Sequence, residues 1–243
     1  MTAMSVGVVM PVYNGELHVG AALRSLLRET GVALHIVVVD DGSTDGTRAI
    51  VQALAQEHPS VHLIESDHGG VSRARNVGLA ALPPEVSLVT FLDSDDLNPA
   101  GRIGHQCELL DRHPDVDCVI GMVQVFEDED KERLAPREGS RIVTVRGVQL
   151  GCGLFRRCLL ERLGGMAEDM HYGEDTDLYL RILEAGTTLL KDDAIAVYYR
   201  RHPGNVTNDL ACTRAGFIDA IRRSLERRRA TGVAVELGDL FRA

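Results

Sequence analysis

The sequence predicts an α/β fold in which a mostly parallel sheet is flanked by helices, and three observations point to it. Apolar, β-branched runs alternate with segments whose apolar residues recur at helical spacing. The strand-like runs are separated by stretches long enough for crossover helices, which parallel neighbours require. The chain has 243 residues and 44% hydrophobic composition, enough to bury one large core rather than two small ones.

Each element follows from local pattern. Residues 5–10 form a short buried strand, and 17–28 follow as a helix with Leu17, Ala21, Leu23 and Leu27 at helical spacing. Strand 34–39 leads to helix 44–57, and strand 61–65 leads to helix 71–82, which Pro83-Pro84 stops. Residues 86–92 supply a fourth strand. Beyond Asp96 the pattern is mixed: helix 99–112, strand 117–126, and an acidic stretch, 127–133, that reads as a solvated loop. A strand at 141–146, a glycine-rich crossing at Gly151-Cys152-Gly153, a helix at 174–185 closed by Gly186, a strand at 194–200 and a final helix at 210–229 complete the chain. No internal repeat or low-complexity linker interrupts it.

Composition narrows the function. Lys and Arg total 26 against 36 Asp and Glu, a formal net charge of -10, which argues against a protein that coats nucleic acid. Local phosphate binding stays open, through a cation, a few arginines and helix amino-ends. The five cysteines (Cys107, Cys118, Cys152, Cys158 and Cys212) are an odd set with no CxxC pair, so reduced thiols in a cytoplasm are expected. With no basic leader and no long apolar segment, any membrane contact is expected at the surface.

In an open parallel sheet, ligands bind beyond the carboxyl ends of the strands. Those ends read Pro11-Val12-Tyr13-Asn14, Asp40-Asp41-Gly42-Ser43-Thr44-Asp45 and Asp93-Ser94-Asp95-Asp96. Asp93 and Asp95 can face one cation, or divide the work between a cation and a ribose hydroxyl, and Mg²⁺ or Mn²⁺ suits such an oxygen-rich setting. Asp96 can equally start the next helix, and Thr44 or Asp45 can cap the second. Carboxylates gathered on one rim repel one another unless a cation or hydrogen-bond donor compensates. The segment from His68 to Asn76 adds a glycine-flanked helix start with two arginines, a plausible diphosphate contact or a plain surface helix.

Taken in order, PVYN, DDGSTD, GGVSRARNVG, FLDSDD, GEDTDLYLR and YYRRHPGNVT resemble the family-two glycosyltransferases of the GT-A fold, from Val6 to Thr207. The resemblance implies that Pro11, Tyr13 and Asp41 hold the nucleotide base, with Arg73 near the base and diphosphate. It implies that Asp93 approaches the ribose and that Asp95 ligates Mn²⁺ or Mg²⁺, with His202 reaching the metal or diphosphate. Asp175 matches the catalytic base, with Glu174 beside it, and Asp96 and Glu174 are assigned to the acceptor or donor-sugar region. A GT-A domain over 1–208 is expected, its nucleotide-binding half about 1–96 and its acceptor half about 97–208, followed by a helical extension over 209–243.

The implied reaction is an inverting, in-line transfer from a nucleotide-diphosphate sugar, with UDP favoured, to a carbohydrate or lipid-linked acceptor hydroxyl. A carboxylate of ordinary pKa, near ~4, cannot deprotonate an alcohol beforehand, so proton transfer accompanies bond formation and contributes roughly 10²- to 10⁴-fold. The chain has no tryptophan and so no QxxRW motif of processive relatives, which implies one sugar per encounter. Gly164-Gly165-Met166-Ala167-Glu168-Asp169 departs from the family's Gly-Gly-Phe-Asp-like segment and leaves the acceptor pocket unread. In the last helix Phe217, Ile221 and Leu225 share a spacing, with Arg222, Arg223, Arg227, Arg228 and Arg229 beside them, so it packs on the domain or lies on anionic lipid at the inner membrane surface. Two rivals remain. A nucleotidyltransferase would need a lysine-bearing glycine-rich loop that PVYNGELHVG lacks, and a catalytically silent partner subunit would be marked by lost carboxylates that are present here.

Overall fold

The computed structural model describes residues 4–147 and 149–234. Its sheet is seeded by β1 (Ser5–Val12), which pairs in parallel with β2 (Ala33–Asp40) and with β4 (Leu88–Phe91). β3 (Val61–Glu65) adds to β2 in the same direction. The crossovers are α1 (Val19–Leu26), α2 (Thr47–Glu57) and α3 (Val71–Ala81). Consecutive residues of β1, from Gly7 to Val12, are all buried, as expected for a parallel strand covered on both faces.

The second half contributes α4 (Arg102–Arg112), β5 (Cys118–Phe126), a small ribbon of β6 (Glu129–Asp130) and β7 (Ala135–Pro136), and β8 (Ile142–Val145). After a 3₁₀ turn at Leu150–Cys152 come β9 (Gly153–Arg156), α5 (Arg157–Leu163), α6 (Glu174–Glu184) and β10 (Leu189–Arg200). A second 3₁₀ turn, Val206–Asn208, precedes α7 (Leu210–Thr231). The main path of the sheet is β10-β5-β9-β4-β1-β2-β3, with β8 paired to β5.

β9 is antiparallel to both β4 and β5, so β5 and β10 run the same way as β4. The carboxyl ends of β1, β2, β4 and β10 therefore open onto one rim. Mostly parallel pairing agrees with the sequence, but β9 and α5 are additions to it: Gly153 opens a strand rather than a crossing. The acidic stretch is mostly exposed, as expected of a solvated loop, with Glu129 as the exception. It enters the β6–β7 ribbon, and Glu129 is largely buried because Arg200 Nη1 donates to its Oε2 at 2.7 Å.

The last helix docks on the domain. Arg223 donates to both carboxylate oxygens of Asp169 at 3.0 and 2.8 Å, and Arg227 joins Asp177 and Glu184 at 2.8 and 2.6 Å. Arg222 turns to Asp219 and Glu226 on its own helix. Three of the five arginines named on this helix are thus paired with carboxylates, and Arg228 donates to Val233 O at 3.4 Å. Of the expected 209–243 extension, 235–243 lie outside the described residues. Among the described residues, no helix is long and apolar enough to cross a membrane.

Candidate active site

The rim is braced loop against loop. Asn14, at φ 51°, donates its amide to Ser43 Oγ at 2.9 Å and receives the Thr44 amide on Oδ1 at 2.8 Å, so the loops after β1 and β2 hold each other. Asp41 accepts the amides of Gly69 and Gly70 on its two carboxylate oxygens at 2.9 and 2.8 Å. Gly70 sits at φ 89°, which only glycine adopts without strain, and it opens α3. Asp41 therefore fixes the start of α3. Beside it the half-exposed ring of Tyr13 lies 4.3 Å from that of His68, tilted by 32°. Pro11 is buried in β1, paired with Val39, and Arg73 is exposed, its side chain lying over Gly69.

The second arginine of α3 points the other way. Arg75 is buried, with Nη2 donating to Asp93 Oδ1 at 2.8 Å and Nη1 donating to Asp175 Oδ1 at 2.8 Å and to Glu174 Oε1 at 2.9 Å. Burial works against its charge, but Asp175, Asp93 and Glu174 overcome that and raise its pKa. Asp175 Oδ2 also accepts the Leu150 amide at 3.2 Å. Burial pushes Asp175 upward, Arg75 opposes this, and the charges of Glu174 and Asp93 reinforce it; the result is about 7. One guanidinium thus gathers a carboxylate from the end of β4 and two from the start of α6.

Asp95 meets the end of β10. Its Oδ2 faces His202 Nε2 at 3.0 Å and accepts from Asn205 Nδ2 at 3.3 Å, while among the described residues Oδ1 makes no hydrogen bond. The Gly204 amide donates to His202 Nδ1 at 3.1 Å, which assigns the ring proton to Nε2 and directs it at Asp95. His18 lies against His202, ring centroids 4.7 Å apart. Burial, Arg200 and His202 together hold its imidazole below the usual range. Asp96 is fully buried: Oδ1 accepts the Arg200 amide at 2.9 Å and Oδ2 bonds Gln149 Nε2 at 2.6 Å. The expected contact of Asp96 with acceptor or donor sugar does not fit a side chain closed off from the rim, so this assignment is corrected to a tie between the β4 turn and β10.

Among the described residues, no three His, Cys, Asp or Glu side chains form a ready cage for a metal ion. A cation at this rim would therefore take one or two protein ligands and draw the rest from water or phosphate, as Mg²⁺ and Mn²⁺ do beside nucleotides. The free Oδ1 of Asp95 is a hard oxygen suited to that role. Of the two arginines in 68–76 expected at a diphosphate, only Arg73 stays exposed, whereas Arg75 turns inward to carboxylates; Gln149, Asn205 and His18 are not among the residues expected from sequence. A signal for Arg75 exists: Ser72, Arg75 and Gly78, spaced by three, are the inward positions of α3.

Comparison with known proteins gives a consistent picture. Residues 7–162 match the family described as Glycosyl transferase family 2. The glycosyltransferase RT0329 of Rickettsia typhi, itself uncharacterized, is 26% identical over 218 residues, covering 84% of this chain and 66% of that protein. The uncharacterized glycosyltransferase EpsJ of Bacillus subtilis is 26% identical over 220 residues, covering 83% and 62%. The chain thus spans just under two thirds of the length of these relatives. Among solved structures, the mannosyltransferase PcManGT of Pyrobaculum calidifontis, in complex with GDP-Man and Mn²⁺, superposes with a TM-score of 0.70 at 21% identity, covering 91% of this chain and 64% of that one. S. aureus TarS 1–349 with UDP-GlcNAc gives the same TM-score and identity, covering 91% and 65%. The shared fold is the GT-A type.

Proposed function

The chain belongs to glycosyl transferase family 2, and on that premise we propose that it moves a sugar from a nucleotide-diphosphate sugar to an acceptor hydroxyl by a single inverting displacement, with Asp175 as the base. The observation that carries this reading is the sharing of Arg75 by Asp93 and Asp175. It puts a candidate ribose ligand and a candidate base on one rigid fork, and holding reacting groups in place in this way lowers the barrier of a two-substrate reaction.

A base pushed up to about 7 accepts a proton far better than an ordinary carboxylate, and Arg75 keeps a useful fraction of it ionised near neutral pH. Asp175 takes the acceptor hydroxyl's proton as that oxygen attacks the anomeric carbon. Glu174 adds the negative charge that makes Asp175 more basic. Arg75 acts through these carboxylates, as a positioning residue. Tyr13 and His68 offer a ring face for the base, and with the Asp41 and Tyr13 pattern a UDP-sugar is the donor we favour. Arg73, over Gly69, stays within the helix start proposed for the diphosphate.

Asp95 and His202 would hold the divalent cation, Mn²⁺ or Mg²⁺. Bound there, the cation neutralises charge on the departing nucleotide diphosphate. For Nε2 of His202 to ligate, its proton must move to Nδ1, where it meets the Gly204 amide, so metal binding is coupled to the turn at Pro203–Gly204.

Residues 1–96 supply the donor side and 97–208 the acceptor side. An acceptor on a carbohydrate or a lipid carrier is proposed; the outward face of α7, with Leu210, Ile218 and Leu225 exposed, is where a membrane-borne one would bring lipid. The test is transfer from a panel of UDP-, dTDP- and GDP-sugars with Mn²⁺ or EDTA. Metal-dependent turnover of one donor, lost in Asp95→Ala and in Asp175→Asn, supports the reading. Donor binding without turnover across a broad acceptor mixture would sink it.

A further inference from the structure

The turn that delivers Asp175 is not held by its own sequence. α6 starts at Gly173, φ 78°, with no side-chain cap, and its first turn carries Glu174, Asp175 and Asp177. Three acids there suit the helix dipole but repel one another. What holds the turn is α7. Gly216 lies against the backbone of Tyr172 and Gly173: a Cβ at Gly216 would come within 2.5 Å of the Tyr172 carbonyl, and one at Gly173 within 2.5 Å of the Gly216 oxygen.

The contact is extended on both sides. Arg227 reaches from α7 to Asp177, two residues beyond Asp175, and Arg223 grips Asp169 just before the turn. Met170, Leu180 and Ala220 close a small apolar cluster between them. From the opposite side, Ser72 Oγ donates to Met170 O at 3.2 Å, so residues 169–173 are sandwiched between α7 and the start of α3.

We propose that α7 is a clamp on the turn bearing Asp175, with Gly216 and Arg227 as positioning residues for the base. This rests on the reading of Asp175 as the base. The clamp sets how closely Asp175 meets Arg75, Glu174 and Asp93, the charged groups that face it. A displacement of about 1 Å at a reacting group costs on the order of 10²-fold in rate.

The test uses the full chain and the variants Gly216→Ala and Arg227→Met, with Ala230→Ser, at an exposed position of α7, as control. Amide exchange over 170–177 is expected to speed by about tenfold or more in both variants, while β1–β3 exchange and UDP affinity stay as in the wild type. The Asp175 midpoint, followed by carboxyl ¹³C NMR with Asp175→Asn for assignment, should move, and kcat should fall with donor KM unchanged. Arg227→Lys should recover part of each loss. If Gly216→Ala does not fold, the two Arg227 variants decide. Wild-type exchange and midpoint in every folded variant overturn the clamp. Should the wild type transfer no sugar, the exchange and titration results still decide the clamp, and only the proposed activity falls.

Discussion

Nη1 of Arg75 lies 2.8 Å from Oδ1 of Asp175, joining the third helix to the first turn of the sixth. Because Arg75 favours the ionised base, transfer should rise as pH climbs through about 7, where Asp175 loses its proton, and level off above. Arg75→Lys, which keeps the charge but loses the fork, should move that midpoint up by about 1 unit, and Arg75→Met by about 1–3. Profiles of kcat against pH check both shifts. Arg73→Ala, at an exposed position, should leave the midpoint alone.

Asp95→Ala should lower kcat by about 10²- to 10³-fold, as removal of one electrostatic stabiliser typically does. Addition of diamagnetic Mg²⁺ to the wild type should shift the Gly204 amide resonance, because ligation through Nε2 forces the ring proton onto Nδ1. An unmoved Gly204 signal at saturating metal would take His202 out of the ligand set.

Glu129 and Arg200 form a mostly buried pair at 2.7 Å, with Arg200 also over the Phe126 ring and donating to Asp95 O. Removing one partner leaves a buried charge uncompensated. Glu129→Ala should destabilise the protein by about 3 kcal/mol in urea titration, against a value near zero for a solvated loop residue.

Asp96 is raised well above the ordinary carboxylate range, by burial first and then by the charges of Asp95 and Asp93. A group raised on folding contributes stability that is complete below its unfolded pKa and lost as pH rises through its folded one. Asp96→Asn should flatten this part of the pH dependence, and its advantage over the wild type should grow toward high pH. Melting temperatures of both proteins from about pH 5 to 8 measure the difference.

The first half of the fold is legible because β1, β2 and α1–α3 advertise themselves through apolar runs and helical spacing. β9 is not: it has only four residues and opens with glycine, and its burial comes from β4 and β5 on either side. Glu129 reads as solvated because its partner lies 71 residues away. The site divides similarly. Asp95 and His202 were named as metal-side residues and do meet, whereas Arg75 was hidden beside Arg73, since only the inward face of α3 distinguishes them. Asp96 misled because an acid next to DxD looks exposed in sequence, and Gln149 and Arg200, far along the chain, are what enclose it.

The span of Arg75, 18 residues from Asp93 and 100 from Asp175, has a consequence for the order in which the protein is made. Domains emerging from the ribosome order their amino-terminal parts first, and a contact spanning about 100 residues must wait for its far end and for the entropy of closing that loop. Tyr13, Asp41, Gly70 and Asp93 are all synthesised long before Asp175. On the proposed reading, a half-made chain can thus shape the donor side while it has no base, and an activated sugar is safe from it until the last part of the molecule folds into place.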